Sequence, residues 1–400
     1  MKQRARIYMD NAATSFPKPP RVHEAMLRFA TEVGASPGRG GYRESQEASR
    51  RLKQCRRRLV RLFNGALPEH VIFTLNCSDA LNLAIRGVLE AAGQPAHAIT
   101  TYMDHNSVLR PLHALAQRTQ LRVSRVRCDP VTGLVDPDDI LKVISPDTKL
   151  VAVAHGSNVC GTLQPIRRIG AICRERDITL LVDAAQTLGH VPIDVQADLI
   201  DLLAFPGHKG LLGPLGTGGL YIRPGIEKRM RTVREGGTGS ASELDRQPDF
   251  MPDRFEPGSH NAIGIAGLCE SVKWILDQGV THLWSHERKL MSAMLEGLLE
   301  LVDVHRLSLY GPAGLENRCG VYSVRMDGFD HPQDLSDRLE RRHGILTRSG
   351  LHCAPLAHKT LGTYDLEGST RLSVGPLLGV HDVQVACDAL AQIACPTVMA

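Results

Sequence analysis

Asp201-Leu-Leu-Ala-Phe-Pro-Gly-His-Lys209 decides how this chain is read. Leu202 to Phe205 is a short apolar run bounded by a charge and a turn, the pattern of a buried strand. Pro206-Gly207 takes the backbone out of the sheet, so His208 and Lys209 stand at the strand's carboxyl end. The Gly-rich stretch that follows, Leu211-Leu-Gly-Pro-Leu-Gly-Thr-Gly-Gly219, lets backbone approach a ligand closely. On its own a lysine reads as a surface residue. At the end of a buried strand it is a candidate Schiff-base nucleophile, because desolvation lowers its pKa and frees the amine lone pair.

Working outward, strands alternate with helices of about ten residues. Strands are expected over 71–74, 98–103, 122–128, 150–154, 178–182, 202–205 and 218–223, with helices over 79–89, 109–117 and 166–177 between them. That alternation predicts an α/β fold with a mostly parallel sheet covered on both faces. Ligands in such sheets sit outside the carboxyl ends of the strands. Four successive strand ends carry polar residues: His105, Asn158, Asp183 with Gln186, and His208 with Lys209. After about residue 225 the composition shifts, through a Gly- and Pro-rich stretch, to a smaller α+β region. The expected division is a large domain over 15–265 and a smaller one over 266–400 joined by residues 1–14.

Composition narrows the function. The 400 residues are 42% hydrophobic and 22% charged, an ordinary globular balance with room for a large core. A net charge of +4 is too small to argue for nucleic acid. The basic run from Arg50 to Arg61 carries Leu52, Cys55, Leu59 and Leu62 at helical spacing. It reads as one face of a helix with its arginines in solvent, since no interleaved aromatics offer base stacking. No apolar stretch is long enough to span a bilayer, and no metal-ligand spacing stands out. Ten cysteines with no CxxC pair read as reduced thiols in a cytoplasmic protein.

The strand-end constellation suits pyridoxal phosphate (PLP). That cofactor needs a lysine amine, a carboxylate for the pyridine nitrogen, anion donors for the phosphate and a flat group against the ring. Lys209 and Asp183 supply the first two. The helix start at Ser78, read as an N-cap, and His208 supply phosphate donors, and His105 can lie on the ring face.

Across nearly its whole length the chain resembles a class V aminotransferase-fold PLP enzyme (fold type I) of the cysteine desulfurase family, with the compact catalytic loop of one of its groups. Val182-Asp-Ala-Ala-Gln186, Phe205-Pro-Gly-His-Lys209, Arg348-Ser-Gly-Leu-His-Cys353 and Thr370-Arg-Leu-Ser373 carry the resemblance. It implies that Lys209 holds PLP, that Asp183 pairs with the ring nitrogen, and that Asn158 and Gln186 contact the ring hydroxyl. Cys77, Ser78 and His208 fall at the phosphate, as does Ser259 from a neighbouring subunit, which implies a homodimer. Arg371 would hold the substrate carboxylate with Arg348, and Asn11, Ala13 and Arg39 fall among the substrate contacts. Cys353 would take sulfur from L-cysteine as a persulfide, leaving L-alanine and passing the sulfur to an acceptor protein, with His105 as an acid. A thiolate is required for that step, and His352 with the cationic Arg348 and Arg371 is expected to lower the thiol's pKa. The alternative within the fold is a selenocysteine lyase or cysteine sulfinate desulfinase that does not depend on the persulfide. Two departures stand out: Pro206 where a Ser or Thr is usual, and Cys77 where a threonine is common.

Overall fold

The structure is a computed structural model describing residues 6–38 and 40–394. Arg39 lies outside the described residues. In chain order the first elements are β1 (Ile7–Tyr8), α1 (Pro20–Arg28), α2 (Arg43–Leu62), β2 (Val71–Thr74), α3 (Cys77–Ala91) and β3 (Ala96–Thr101). Then come α4 (Asn106–Ala116), β4 (Leu121–Val126), α5 (Pro137–Val143), β5 (Thr148–Ala154), α6 (Ile166–Glu175), β6 (Thr179–Asp183), β7 (Leu202–Pro206) and β8 (Gly218–Ile222).

Seven strands form one sheet in the order β2-β8-β7-β6-β5-β3-β4. From β7 to β4 all pairings are parallel, as the alternating pattern predicts. β8 runs antiparallel to β7 because the link between them carries no crossover helix. Successive residues of each central strand enter opposite cores. Val151, Val153, Leu180, Val182, Leu203 and Phe205 pack with α2, α6 and α7 (Ala262–Gln278). Leu150, Ala152, Leu181, Leu202 and Ala204 pack with α3 and α4. Burial on both faces explains why these strands are apolar throughout instead of alternating with polar residues.

The remaining elements are α8 (Val280–Asp303), β9 (Leu307–Tyr310), β10 (Val321–Met326), α9 (Pro332–Arg338), β11 (Ile345–Leu346), β12 (Arg348–Gly350), α10 (Pro355–Thr360), β13 (Ser369–Ser373) and α11 (Val380–Ala394). Gly279, at φ 83°, joins α7 to α8. A four-stranded antiparallel sheet has the order β12-β13-β10-β9, and β1 pairs with β11. Met9 shares a core with α8, β10, β13 and α11, so the start of the chain packs with its last third. Among the described residues no helix is long and apolar enough to cross a membrane.

Some local readings need correction. Helix α3 starts at Asn76, not Ser78: Asn76 is extended and its side chain accepts the Asp79 N–H at 3.0 Å, which leaves Ser78 in the first turn. The basic helix does bury Leu52, Cys55 and Leu59, but Arg56 is not solvated. It forks onto Glu256 at 2.9 and 2.6 Å, with its guanidinium 4.3 Å from the Phe73 ring. A buried arginine is tolerated because its planar fork matches a carboxylate. Helices α5 and α10 were not anticipated; each is short and opens on proline, so periodicity has little to act on.

Candidate active site

The parallel register places the strand ends side by side: Ala154 of β5 lies beside Asp183 of β6, which lies beside Ala204 of β7. One cavity at this edge is lined by Cys77, Ser78, His105, Asn158, Asp183, Gln186, His208 and Lys209. Eight of the residues expected around the cofactor therefore meet in a single place. Pro206 lines it too. Gly207 is required behind it, because a Cβ there would sit 2.1 Å from the Thr217 hydroxyl.

Lys209 keeps some solvent contact through the cavity, yet the protein packed around it pushes its pKa down, an effect that the Asp183 carboxylate partly reverses. Asp183 is buried and its pKa is raised, chiefly by desolvation. Its Oδ1 accepts the Ala185 N–H at 2.9 Å and the Cys77 thiol at 3.4 Å. Cys77 thus donates to the carboxylate, and burial pushes its thiol pKa up, which keeps it a donor.

His105 caps α4. Its Nδ1 accepts the Ser107 N–H at 3.0 Å, so the neutral ring carries its proton on Nε2. Burial, then Lys209, pushes its pKa down to about 4. The ring is a flat, neutral donor, not an imidazolium. Ser107, which sequence reasoning missed, links this histidine at 3.0 Å to Ser78 at 2.6 Å through its hydroxyl, and it lines the cavity. Its position in Asp104-His-Asn-Ser107, a strand end running into a helix, was the available signal.

His208 is fixed through its backbone. Its carbonyl accepts the Ser15 N–H at 3.0 Å, the Thr14 and Ser15 hydroxyls at 3.1 Å and the Lys18 amine at 3.2 Å. The ring Nδ1 is buried without a hydrogen-bond partner. Burial lowers the histidine's pKa to about 4 and that of Lys18 to about 8.

The structure fits PLP on its own terms. The orphaned His208 Nδ1, the Ser78 hydroxyl and the first turn of α3 offer anion donors at one side of the cavity. The buried Asp183 calls for a cationic partner, which a protonated ring nitrogen supplies. Lys209 lines the same cavity, and the Asp183 carboxylate offsets part of the lowering of its pKa.

The proposed substrate contacts come from the other sheet. Arg371 is buried; one terminal nitrogen donates to Asp10 at 2.6 Å, the other to the Asn158 carbonyl at 3.0 Å, and its Nε has no partner. Asp10 was not anticipated, because it lies far from Arg371 in sequence. Arg348 stands directly opposite Arg371 in the β12–β13 register. Two like charges facing each other across a strand pair are unfavourable, and a bound carboxylate would relieve them. Asn11 is held by the Tyr8 and Ser373 carbonyls at 3.1 and 3.3 Å and lines a second cavity that reaches Lys209. Ala13 lies in the adjoining turn, its N–H on the Asp10 carbonyl at 3.0 Å. Ser259 is exposed and lines a different cavity, away from this chain's own Lys209.

Cys353 is the exposed thiol among the described cysteines, all of which are free. His352 and Cys353 both adopt left-handed backbone, at φ 49° and 57°, which costs about 1–2 kcal/mol per non-glycine residue. Hydrogen bonds hold the turn: Asn158 donates to the His352 carbonyl at 2.6 Å and the Asn106 N–H to the Cys353 carbonyl at 2.9 Å. His352 is not a cation here. It is buried, and desolvation together with Arg371 holds its pKa well below the usual histidine value. That leaves Arg348 and Arg371 as the positive groups on this side.

A family model described as aminotransferase class-V matches residues 7–385. The chain belongs to that family. Within it, a protein of Methanothermobacter thermautotrophicus named probable cysteine desulfurase is 33% identical over 98% of this chain and 95% of its own. One of Pyrococcus abyssi with the same name is 35% identical over 97% and 94%. The apo structure of a cysteine desulfurase from Thermococcus onnurineus superposes with a TM-score of 0.89 at 32% identity, covering 97% of this chain and 94% of that one. The class-V aminotransferase fold thus matches the α/β architecture read from the strand pattern, and this chain falls among the cysteine desulfurases of the family.

The buried histidines make a prediction. His97, His105, His155, His208 and His358 are each held down to about 4, burial being the leading cause. Below about pH 6.5 the unfolded chain protonates them and the fold does not, so stability falls as pH drops from about 6.5 to about 4. Asp104, raised to about 6 by burial, works in the opposite direction, as do the raised Asp183, Asp198, His190 and His331, but the lowered His352 joins the five histidines on the other side. Calorimetry of the cofactor-free protein is expected to show Tm decreasing over that window; a flat Tm would show these rings are not held neutral.

Proposed function

We propose that the protein moves the sulfur of L-cysteine onto Cys353 as a persulfide, leaving L-alanine, with PLP held by Lys209. The observation that carries this reading is the pinned left-handed turn. It places the exposed Cys353 next to residues tied directly into the Lys209–Asp183 cavity.

PLP, when bound, supplies an electron sink for negative charge at the substrate α-carbon. Asp183 would hold its ring nitrogen, His105 its face, Asn158 and Gln186 its ring hydroxyl, and Ser78 and His208 its phosphate. Arg371, through its unpaired Nε, and Arg348 take the substrate carboxylate. That grip orients the α-hydrogen toward Lys209, whose lowered pKa keeps part of the amine neutral and able to remove the proton. Cys353 Sγ, as thiolate, bonds to the substrate sulfur while the substrate's C–S bond breaks, its electron pair staying with the β-carbon. His105, once it has taken up a proton, would be the acid for that carbon. Of the two thiol hydrogens, one ends on the persulfide and one on the methyl group of alanine, so no outside oxidant or reductant is consumed.

Ser259, exposed and remote from its own chain's site, supports a homodimer in which it reaches the neighbouring phosphate. An acceptor protein would take the sulfur from the exposed Cys353. The free cysteines support a reducing, cytoplasmic location. The separate cores of the seven-stranded sheet and of the C-terminal sheet support two domains, with the first residues joining the smaller one.

The test is product analysis with L-cysteine. Equimolar alanine and sulfur, with the first equivalent of sulfur found on the Cys353 peptide by mass spectrometry, is the expected result. Sulfide released with pyruvate and no modified cysteine would sink the reading.

A further inference from the structure

Three buried polar residues form a chain beneath the Cys353 turn. His352 Nδ1 lies 3.2 Å from His358 Nε2, and His358 Nδ1 lies 2.7 Å from the Thr363 hydroxyl. The two rings are stacked, 5.4 Å apart. All three residues are buried, His358 completely. Each neutral imidazole has one donor and one acceptor nitrogen, so the series runs head to tail and leaves His352 Nε2 as its free end. That atom is buried and unpartnered.

The groups facing His352 are Arg371, Arg348 with its backbone carbonyl, and His358. The groups around it are thus cationic or neutral, and a proton on the chain would add charge beside two guanidiniums. Burial keeps His358 neutral as well, at about 4.

The mechanical consequence lies at the His352 backbone. Left-handed φ at two successive non-glycine residues persists only when the surroundings over-determine it. The Asn158 and Asn106 hydrogen bonds hold the two carbonyls. The His358 hydrogen bond is what holds the His352 side chain.

We propose that His358, backed by Thr363, is a positioning residue for Cys353. It locks the His352 ring and thereby the turn that presents Sγ to the substrate sulfur. The inference rests on Cys353 being the sulfur acceptor.

The test uses the PLP-loaded enzyme with three variants. His358→Phe keeps a ring but removes both hydrogen bonds. His358→Gln keeps a donor and an acceptor. Thr363→Val removes the hydroxyl at nearly constant volume. His358→Phe is expected to lower kcat for L-cysteine by about ten- to a hundredfold, the scale of a small misplacement of a reacting group, and to slow persulfide formation on Cys353 in a single turnover equally. KM should stay within about twofold, because the carboxylate grip at Arg371 is separate. His358→Gln should restore most of kcat, and Thr363→Val should show a smaller fall. Wild-type kcat in His358→Phe overturns the proposal. So does an equal loss in the Phe and Gln variants, which would make the role one of packing. If His358→Phe does not fold, an unchanged kcat in Thr363→Val overturns it. Continued alanine formation by Cys353→Ser would instead remove the acceptor assignment, a failure read on a different residue.

Discussion

Lys209→Ala is expected to abolish turnover of L-cysteine, by about 10⁴-fold or more. A positioned general base alone contributes about 10²–10⁴, and this lysine is also the proposed covalent anchor of the cofactor. The amine is chemically prepared for both tasks. Burial lowers its pKa, while Asp183 limits how far. Lys209→Arg should be as inactive as Lys209→Ala, since a guanidinium keeps the charge but cannot give up its proton to become a base. After borohydride reduction, cofactor mass should be found on the wild-type Lys209 peptide and on neither variant. A variant that keeps more than about a hundredth of the activity would mean another group, His105 being the nearest in role, removes the α-proton.

Cys353→Ser is expected to lose alanine formation by on the order of a thousandfold or more, a loss typical of removing a nucleophile. The replacement is close in shape, so the left-handed turn and its hydrogen bonds to Asn158 and Asn106, both made by backbone carbonyls, survive. A hydroxyl does not ionise near neutral pH and cannot take a sulfur atom as a persulfide. Cofactor affinity, measured by equilibrium dialysis, should be unchanged, because Cys353 does not line the Lys209 cavity. The variant distinguishes the two chemistries available to the fold. Lost turnover of cysteine with retained turnover of selenocysteine would place the thiol in sulfur transfer alone. Retained turnover of both would point to the β-lyase alternative.

The parallel-sheet part of the site was legible because physics compresses it. Buried parallel strands must be apolar, so Asp183 and Lys209 stand out against their own strands, and strands of one direction deliver their ends to one edge. The helix cap was misread for a local reason: Asn76 and Ser78 are both good caps, and only backbone geometry shows that Asn76 is the extended one. Cys77 falls where a threonine is common, and only the folded chain shows its thiol donating to Asp183. His352 stands beside the thiol in sequence, but only the folded surroundings show that burial holds its ring neutral. Asp10 carried no signal at all, since nothing in a sequence announces a partner 361 residues away.

That last pairing joins the chain's first residues to the second sheet. Asp10 bonds Arg371, and the backbone at Asp10 bridges to Ser373. The lysine edge of the seven-stranded sheet is tied to the same region, because Asn158 donates to the His352 carbonyl and accepts from Arg371. A single guanidinium thus braces the chain's first residues and the wall of the lysine cavity at once.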